Sequence, residues 1–137
     1  MTTYVADANI LISLLDPDNA LHAVSIGLIA DCGSGLIYVH PLNLAEVLSF
    51  YETTLAREQH WAALQQAARF EVADTDQTPL AQALGLAEMR HLSRQHMPDV
   101  CALALAHRTA STLLTHDVRL AKAARQLGLP TLPVVTP

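Results

Sequence analysis

Short apolar runs alternate along this chain with longer segments whose apolar residues recur at helical spacing. The runs occupy residues 4–6, 36–39, 70–73, 112–115 and 131–135, and we expect them to form β-strands. The helical segments cover residues 20–32, 41–57, 61–68, 79–95, 98–108 and 118–127, and residues 9–15 form a short apolar segment. Strands that alternate with helices build parallel sheets covered on both faces. The sequence therefore predicts an α/β fold, a three-layer α/β/α sandwich around a central, mostly parallel sheet.

The composition is that of one globular domain spanning residues 1–137, with 51% apolar and 15% charged residues. The two cysteines, Cys32 and Cys101, are far apart, which favours a reduced, cytoplasmic protein. The first residues lack the basic and apolar regions of a signal peptide. No stretch approaches the roughly 20 apolar residues of a membrane helix. We therefore expect a cytoplasmic location and no membrane partner.

Four short apolar pieces of the chain lead into an acidic residue, namely Asp7, Glu46, Asp99 and Asp117. An acid at the edge of a buried element is costly unless it is hydrogen-bonded, paired or bound to a cation. Asp7 and Asp117 follow predicted strands, while Glu46 and Asp99 lie early in predicted helices. In parallel sheets ligands gather beyond the carboxyl ends of the strands. All four acids are therefore expected near one edge, where their oxygens suit Mg²⁺.

Each acid also has a purely structural interpretation. Asp117 has the position of a helix N-cap, and Asp99 that of a first-turn acid favoured by the helix dipole. Glu46 lies three residues after Asn43, the spacing of a capping box, and Asp7 fits an Asx-turn. A purely structural role for all four at one edge is less probable than for any one alone. The histidines and cysteines show no usual zinc-ligand spacing.

The net charge of −5 argues against a protein that coats nucleic acid by bulk electrostatics, but not against a nuclease whose carboxylates hold cations. Arg119, Lys122 and Arg125 recur every three residues after Asp117, so they share one helix face. This face either contacts an RNA backbone or is simply solvated.

Four segments resemble the PIN-domain family, and the size matches its VapC-type toxins from toxin–antitoxin pairs. They are residues 5–11 (VADANIL), 43–48 (NLAEVL), 98–104 (PDVCALA) and 114–120 (LTHDVRL). The resemblance implies an endoribonuclease that depends on Mg²⁺ or Mn²⁺, with Asp7, Glu46, Asp99 and Asp117 as catalytic and metal-binding residues. It also implies that Asn9 supports the first aspartate and that Thr115 supplies a hydroxyl before the last acid. Ala8 departs from the Thr or Ser common at its position.

The same resemblance implies three partners: an RNA substrate, a small cognate antitoxin and a second copy of the chain in a homodimer. In such an enzyme the bound ion activates a water for attack on phosphorus and stabilises charge on the phosphate. The amphipathic residues 44–51 and the neighbouring residues 11–15 are candidates for the antitoxin groove.

Three other functions are compatible with parts of the pattern. A structure-directed DNA nuclease would share the carboxylate site, but 137 residues leave little room for helices that grip a duplex. A receiver-like regulatory module would need an acidic pair after the first strand and a late lysine after a strand. Here Ala8 and Asn9 follow Asp7, and Lys122 is the only lysine and lies in a predicted helix. An inactive partner-binding domain is disfavoured by the four intact acids.

Overall fold

The computed structural model describes residues 2–74 and 77–133; of Ser93 it describes the backbone alone. Within these ranges a five-stranded sheet has the order β3-β2-β1-β4-β5, and every neighbouring pair is parallel. The strands are β1 (Tyr4–Ala6), β2 (Ile37–Val39), β3 (Phe70–Val72), β4 (Thr112–Leu114) and β5 (Thr131–Leu132). The predicted parallel α/β fold is confirmed. Residues 134–135 of the last predicted strand lie outside the described residues.

Helices fill the connections between the strands. They are α1 (Ala8–Leu15), α2 (His22–Asp31), α3 (Pro41–Leu48), α4 (Thr54–Ala67), α5 (Pro79–Ser93), α6 (Met97–Thr109) and α7 (Val118–Gln126). Most begin at a residue whose side chain accepts a hydrogen bond from a first-turn amide, as Thr78 does for α5. None of the helices in the described ranges is long and apolar enough to cross a membrane.

The single helix expected over residues 41–57 is wrong, because the chain forms two helices there. Helix α3 ends at Leu48, and α4 starts after Thr53, whose hydroxyl accepts a hydrogen bond from the Ala56 amide. The Arg57 side chain donates from Nε to the Leu48 and Tyr51 carbonyls at 3.2 and 2.9 Å. A helix break is stable where side chains cap the free backbone groups, and apolar spacing alone does not reveal such caps.

The sheet separates two hydrophobic cores. Ala6 and Leu114 pack with residues of α1–α4 on one face, whereas Val5 and Leu113 pack with residues of α5–α7 on the other. Successive strand residues point to opposite faces, so β1 and β4 each contribute to both cores. This arrangement confirms the three-layer α/β/α sandwich.

The strand order reverses direction at β1. The chain passes from β1 outward to β2 and β3, and then returns to place β4 and β5 on the other side of β1. In open parallel sheets, ligands bind beyond the carboxyl ends of the strands at such a switch point. Asp7 follows β1 and Thr115 follows β4, so both lie at the switch point of this sheet.

Candidate active site

Asp7 is the most buried of the four acids, with 2% of its surface exposed. One carboxylate oxygen accepts a hydrogen bond from the Ile10 amide at 3.0 Å and so caps α1. The other accepts from the Thr115 hydroxyl at 2.5 Å. Because β1 and β4 pair directly, with Ala6 opposite Leu114, the two residues that follow them are adjacent. Sheet register thus fixes the Asp7–Thr115 contact.

Asp117 is joined to the same network through Thr115. The Thr115 hydroxyl oxygen accepts a hydrogen bond from the Asp117 amide at 3.0 Å while it donates to Asp7. The Asp117 carboxylate caps α7 by accepting from the Arg119 and Leu120 amides at 2.9 and 3.3 Å. The N-cap interpretation is therefore correct for Asp117, but capping through one oxygen leaves the other available to a ligand.

Asp99 and Glu46 belong to helices. Asp99 lies in the first turn of α6 and is half-buried, whereas Glu46 lies on α3 and is exposed. Over residues 2–74 and 77–133, neither carboxylate accepts a hydrogen bond. What connects their helices is Asn43 on α3, whose side-chain amide donates to the Pro98 carbonyl at 2.9 Å. The two acids are thus positioned by helix packing.

The capping-box interpretation of Asn43 and Glu46 is wrong. His40 is the N-cap of α3, and its Nδ1 accepts a hydrogen bond from the Leu42 amide at 3.1 Å. Asn43 lies within the helix with 1% of its surface exposed, and its Oδ1 has no hydrogen-bond partner in the described parts of the chain. Sequence reasoning missed its connecting role because Asn and Glu three apart fit a cap equally well.

The four acids influence one another electrostatically. Burial raises the pKa of Asp7 from 3.8 to about 6, the hydrogen bonds from Thr115 and Ile10 oppose the rise, and the charges of Asp99 and Asp117 add to it. The pKa of Asp99 is also raised, first by burial and then by the charge of Asp117; His96 opposes the rise, and Glu46 adds a smaller contribution to it. The structure therefore places the predicted acids around one region at the switch point.

The protein compensates the charge of this acidic group only in part, through His96, whose charge lowers the pKa of Asp99. No Lys, Arg or His of the described residues forms an ion pair with any of the four carboxylates. Nor do three acidic, histidine or cysteine side chains in these ranges converge closely enough to hold an ion between them. Mg²⁺ does not need such a cage, because it usually keeps several waters and binds directly to one or two carboxylates. The all-oxygen donors and the excess of negative charge fit this cation.

The remaining predicted residues are distributed around this group. Thr115 contacts Asp7 directly, but Asn9 is exposed and makes no hydrogen bond to Asp7 within the described residues. Asn9 instead lines a cavity of about 330 Å³ together with His116 and Asp117. Arg119, Lys122 and Arg125 are all exposed on α7, whose other face packs into the core.

His116 was not singled out by sequence reasoning. Its Nε2 lies 2.7 Å from the hydroxyl of Ser25, a residue with none of its surface exposed. Burial lowers the pKa of His116 below its usual 6.5. A sequence signal did exist, because Ser13 and Ser25 interrupt the apolar faces of two helical segments, and buried hydroxyls need partners.

Comparisons with known proteins agree with this architecture. The chain is similar to VapBC2 from Rickettsia felis, solved bound to a DNA fragment from its promoter, at 17% identity and a TM-score of 0.65, covering 95% of this chain and 97% of that one. It is similar to FitAcB from Neisseria gonorrhoeae, at 16% identity and a TM-score of 0.63, covering 94% and 96%.

A third similar structure is VapC20 of Mycobacterium tuberculosis, a toxin that cleaves the sarcin–ricin loop. It is 16% identical, with a TM-score of 0.63, covering 88% of this chain and 95% of that one. The TM-scores show that these proteins share a fold with this chain, and at identities this low they show the fold alone. No curated protein sequence matches the chain significantly.

Family membership follows from the sequence itself. The sequence model of the PIN domain matches residues 4–126, which includes all four acids and all of the elements that carry them. The chain belongs to the PIN-domain family.

Proposed function

We propose that this protein is a VapC-type toxin, an endoribonuclease that requires Mg²⁺ or Mn²⁺. The observation that carries the proposal is the group of Asp7, Asp99 and Asp117 at the switch point of a PIN-family sheet, with Glu46 beside Asp99. Similarity to a toxin that cleaves the sarcin–ricin loop supports RNA as the substrate. An enzyme that acts on cellular RNA would work in the cytoplasm.

In this proposal the side chains have three roles: binding the cation, orienting Asp7 and contacting the RNA backbone. Asp7, Asp99, Asp117 and Glu46 are the residues that would hold the cation. When bound, a divalent cation supplies positive charge to the phosphate and makes a nearby water more acidic. Thr115 keeps Asp7 oriented through its hydroxyl, and the raised pKa of Asp7 falls once positive charge is close. Arg119 and Lys122 are placed on an exposed face where they can contact the RNA backbone.

The test is cleavage of a total-RNA pool by wild type and Asp99→Asn, each with Mg²⁺, Mn²⁺ or EDTA. Wild type should cleave only with a divalent cation, and Asp99→Asn should lose at least about a hundredfold in rate, because cation-assisted charge stabilisation contributes several kcal/mol. Asp31→Asn is the matched control, since it removes an exposed acid at the end of α2. Cleavage of DNA instead of RNA would favour the DNA-nuclease alternative. Metal-independent cleavage would refute the proposal.

We also propose a cognate antitoxin as a partner, since the toxin–antitoxin structures VapBC2 and FitAcB are among those similar to this chain. A cavity of about 440 Å³ lies between α1, α3 and α4, and Phe50 beside it has 67% of its surface exposed. The cavity overlaps the groove predicted from residues 11–15 and 44–51, because it is lined by Ile12, Leu15 and Val47. Phe50→Asp should weaken antitoxin affinity at least about tenfold while RNA cleavage is retained. Unchanged affinity would exclude this groove.

A homodimer is the third partner that we propose. Helix α5 exposes Leu80, Leu84 and Leu92, which recur at helical spacing and lie on one side of the helix. An exposed apolar stripe of this kind is typical of a subunit interface. Light scattering should give twice the 14.8 kDa of one chain, and a single-chain mass at high protein concentration would contradict the proposal.

A further inference from the structure

The cavity beside Asp117 is a feature that metal-dependent hydrolysis does not by itself explain. It has a volume of about 330 Å³ and opens next to the acidic group, because Asp117 is part of its wall. Ile12 and Leu21 provide apolar surface, while Asn9, Asn19 and His116 provide polar groups. Cavities of at least about 300 Å³ with a few placed polar groups are typical of small-molecule sites.

A chain of hydrogen bonds fixes the imidazole of His116 in this wall. The Ser13 hydroxyl donates to the Ile10 carbonyl at 2.7 Å, so its oxygen is left to accept from the Ser25 hydroxyl at 2.5 Å. Ser25 has then used its only proton and must accept from His116 Nε2, which lies 2.7 Å away. In the neutral imidazole the proton is therefore on Nε2, and Nδ1 is a hydrogen-bond acceptor.

The two asparagines add groups of complementary character. The Asn19 side-chain oxygen accepts from the Leu21 amide at 2.9 Å, which leaves the Asn19 NH₂ group as a donor. The side-chain amide of Asn9 makes no hydrogen bond within residues 2–74 and 77–133, so both its NH₂ donor and its oxygen acceptor are available. The cavity thus presents donors and acceptors on an apolar frame, all carried by uncharged groups except Asp117.

We propose that this cavity binds one nucleobase of the RNA substrate, next to the phosphate that is cleaved, and that Asn9 and His116 determine which base it accepts. The inference rests on the proposed ribonuclease function and adds a specificity pocket to it. The Asp117 carboxylate disfavours an anion such as phosphate, and no Lys or Arg stands among the described residues that line the cavity. A base suits these walls, because it is flat, uncharged and rimmed with donors and acceptors.

The direct test measures binding of a short RNA whose bases are removed one position at a time. The parent protein is Asp99→Asn in Mg²⁺ buffer, so that binding is measured without cleavage. The assay is repeated with two double variants, in which Asp99→Asn is combined with Asn9→Ala or with His116→Ala. Removing the base that occupies the cavity should cost at least about fivefold in affinity, since a contacted base contributes roughly 1–3 kcal/mol. That cost should disappear in either pocket variant.

His91→Ala is the matched control, because His91 is exposed on α5 and does not line the cavity. It should leave the position dependence unchanged. If removing that base costs the pocket variants as much affinity as it costs Asp99→Asn, the inference is overturned, even if wild type cleaves RNA. Wild type that neither binds nor cleaves RNA would overturn the proposed function, and this inference with it.

A second measurement does not depend on Asp99→Asn folding normally. Wild type, Asn9→Ala and His116→Ala are compared on RNA with randomised bases around the cut, and the cleaved ends are sequenced. The pocket variants should lose base preference at one position beside the cut by at least about fivefold, with the preferences at other positions kept. An identical profile in all three proteins would contradict the assignment.

Discussion

The two sides of the acidic group are held in different ways. On the strand side, Asp7 and Asp117 accept backbone hydrogen bonds and are joined through the Thr115 hydroxyl. On the helix side, the Asp99 and Glu46 carboxylates accept none within the described residues, and Asn43 provides the hydrogen bond between their helices. The strand side is therefore rigid before any ligand arrives, whereas the helix side retains side-chain freedom.

This difference explains why the acids lie together without forming a closed cage. The strand side is fixed by the direct pairing of β1 with β4, and the charges of Asp99 and Asp117 repel that of Asp7. The helix side can relieve that repulsion by keeping its carboxylates apart until a cation supplies positive charge. A bound cation would then be held firmly by one side and adjustably by the other.

The largest expected effect on folding concerns Asp7 without divalent cations. Its pKa of about 6 in the folded protein exceeds the ordinary 3.8, so protonated Asp7 stabilises the fold below about pH 4, and this contribution is lost as pH rises through 6. The loss amounts to about 3 kcal/mol, from 1.36 kcal/mol per pKa unit. Asp7→Asn, which keeps an acceptor for the Ile10 amide, should be more stable than wild type at pH 7.5 by up to that amount.

Urea denaturation of both proteins in EDTA, from pH 4 to 7.5, measures this effect. The stability gap between Asp7→Asn and wild type should widen with pH across the interval between the two pKa values. A constant gap would show that Asp7 has an ordinary pKa, and that neither its burial nor the neighbouring acids destabilise its carboxylate in the folded protein.

Thr115 tests whether the rigidity of the strand side matters for function. Thr115→Val removes the hydroxyl that donates a hydrogen bond to Asp7 and accepts one from the Asp117 amide. Loss of a group that orients a metal ligand typically costs about 10–100-fold in metal affinity or activity. Thr115→Ser, which keeps the hydroxyl, should retain most RNA cleavage. Equal activity of the Val and Ser variants would mean that the hydroxyl does not position Asp7.

Asn43 tests the helix side, where a smaller effect is expected. Asn43→Ala removes the hydrogen bond to the Pro98 carbonyl, next to Asp99, and should lower the free energy of unfolding by about 1–2 kcal/mol. The kcat for RNA cleavage should fall several-fold, with KM little changed, because Asp99 loses its alignment with Glu46. Ser49→Ala is the control, since it removes a hydrogen bond at the end of the same helix, to the Glu46 carbonyl. If both variants cleave equally well, the Asn43 contact is only structural.

The sequence predicted the strand side better than the helix side. Short apolar runs located β1 and β4, and the rule for parallel sheets placed Asp7 and Asp117 at one edge. The strand order, which makes Thr115 the partner of Asp7, depends on long-range pairing that no local pattern encodes. Asn43 was misassigned because its partner carbonyl lies 55 residues away. His116 was missed because its partner, Ser25, lies 91 residues away.

The central claim, that the acids at the switch point form one divalent-cation site, is tested most directly by Mn²⁺ titration followed by electron paramagnetic resonance. Wild type is compared with Asp7→Asn from the strand side and Glu46→Gln from the helix side, with Asp31→Asn as the control. The account predicts saturable binding by wild type and the control, and weaker binding by both site variants. Saturable binding of equal affinity in all four proteins, or none in wild type, would contradict it.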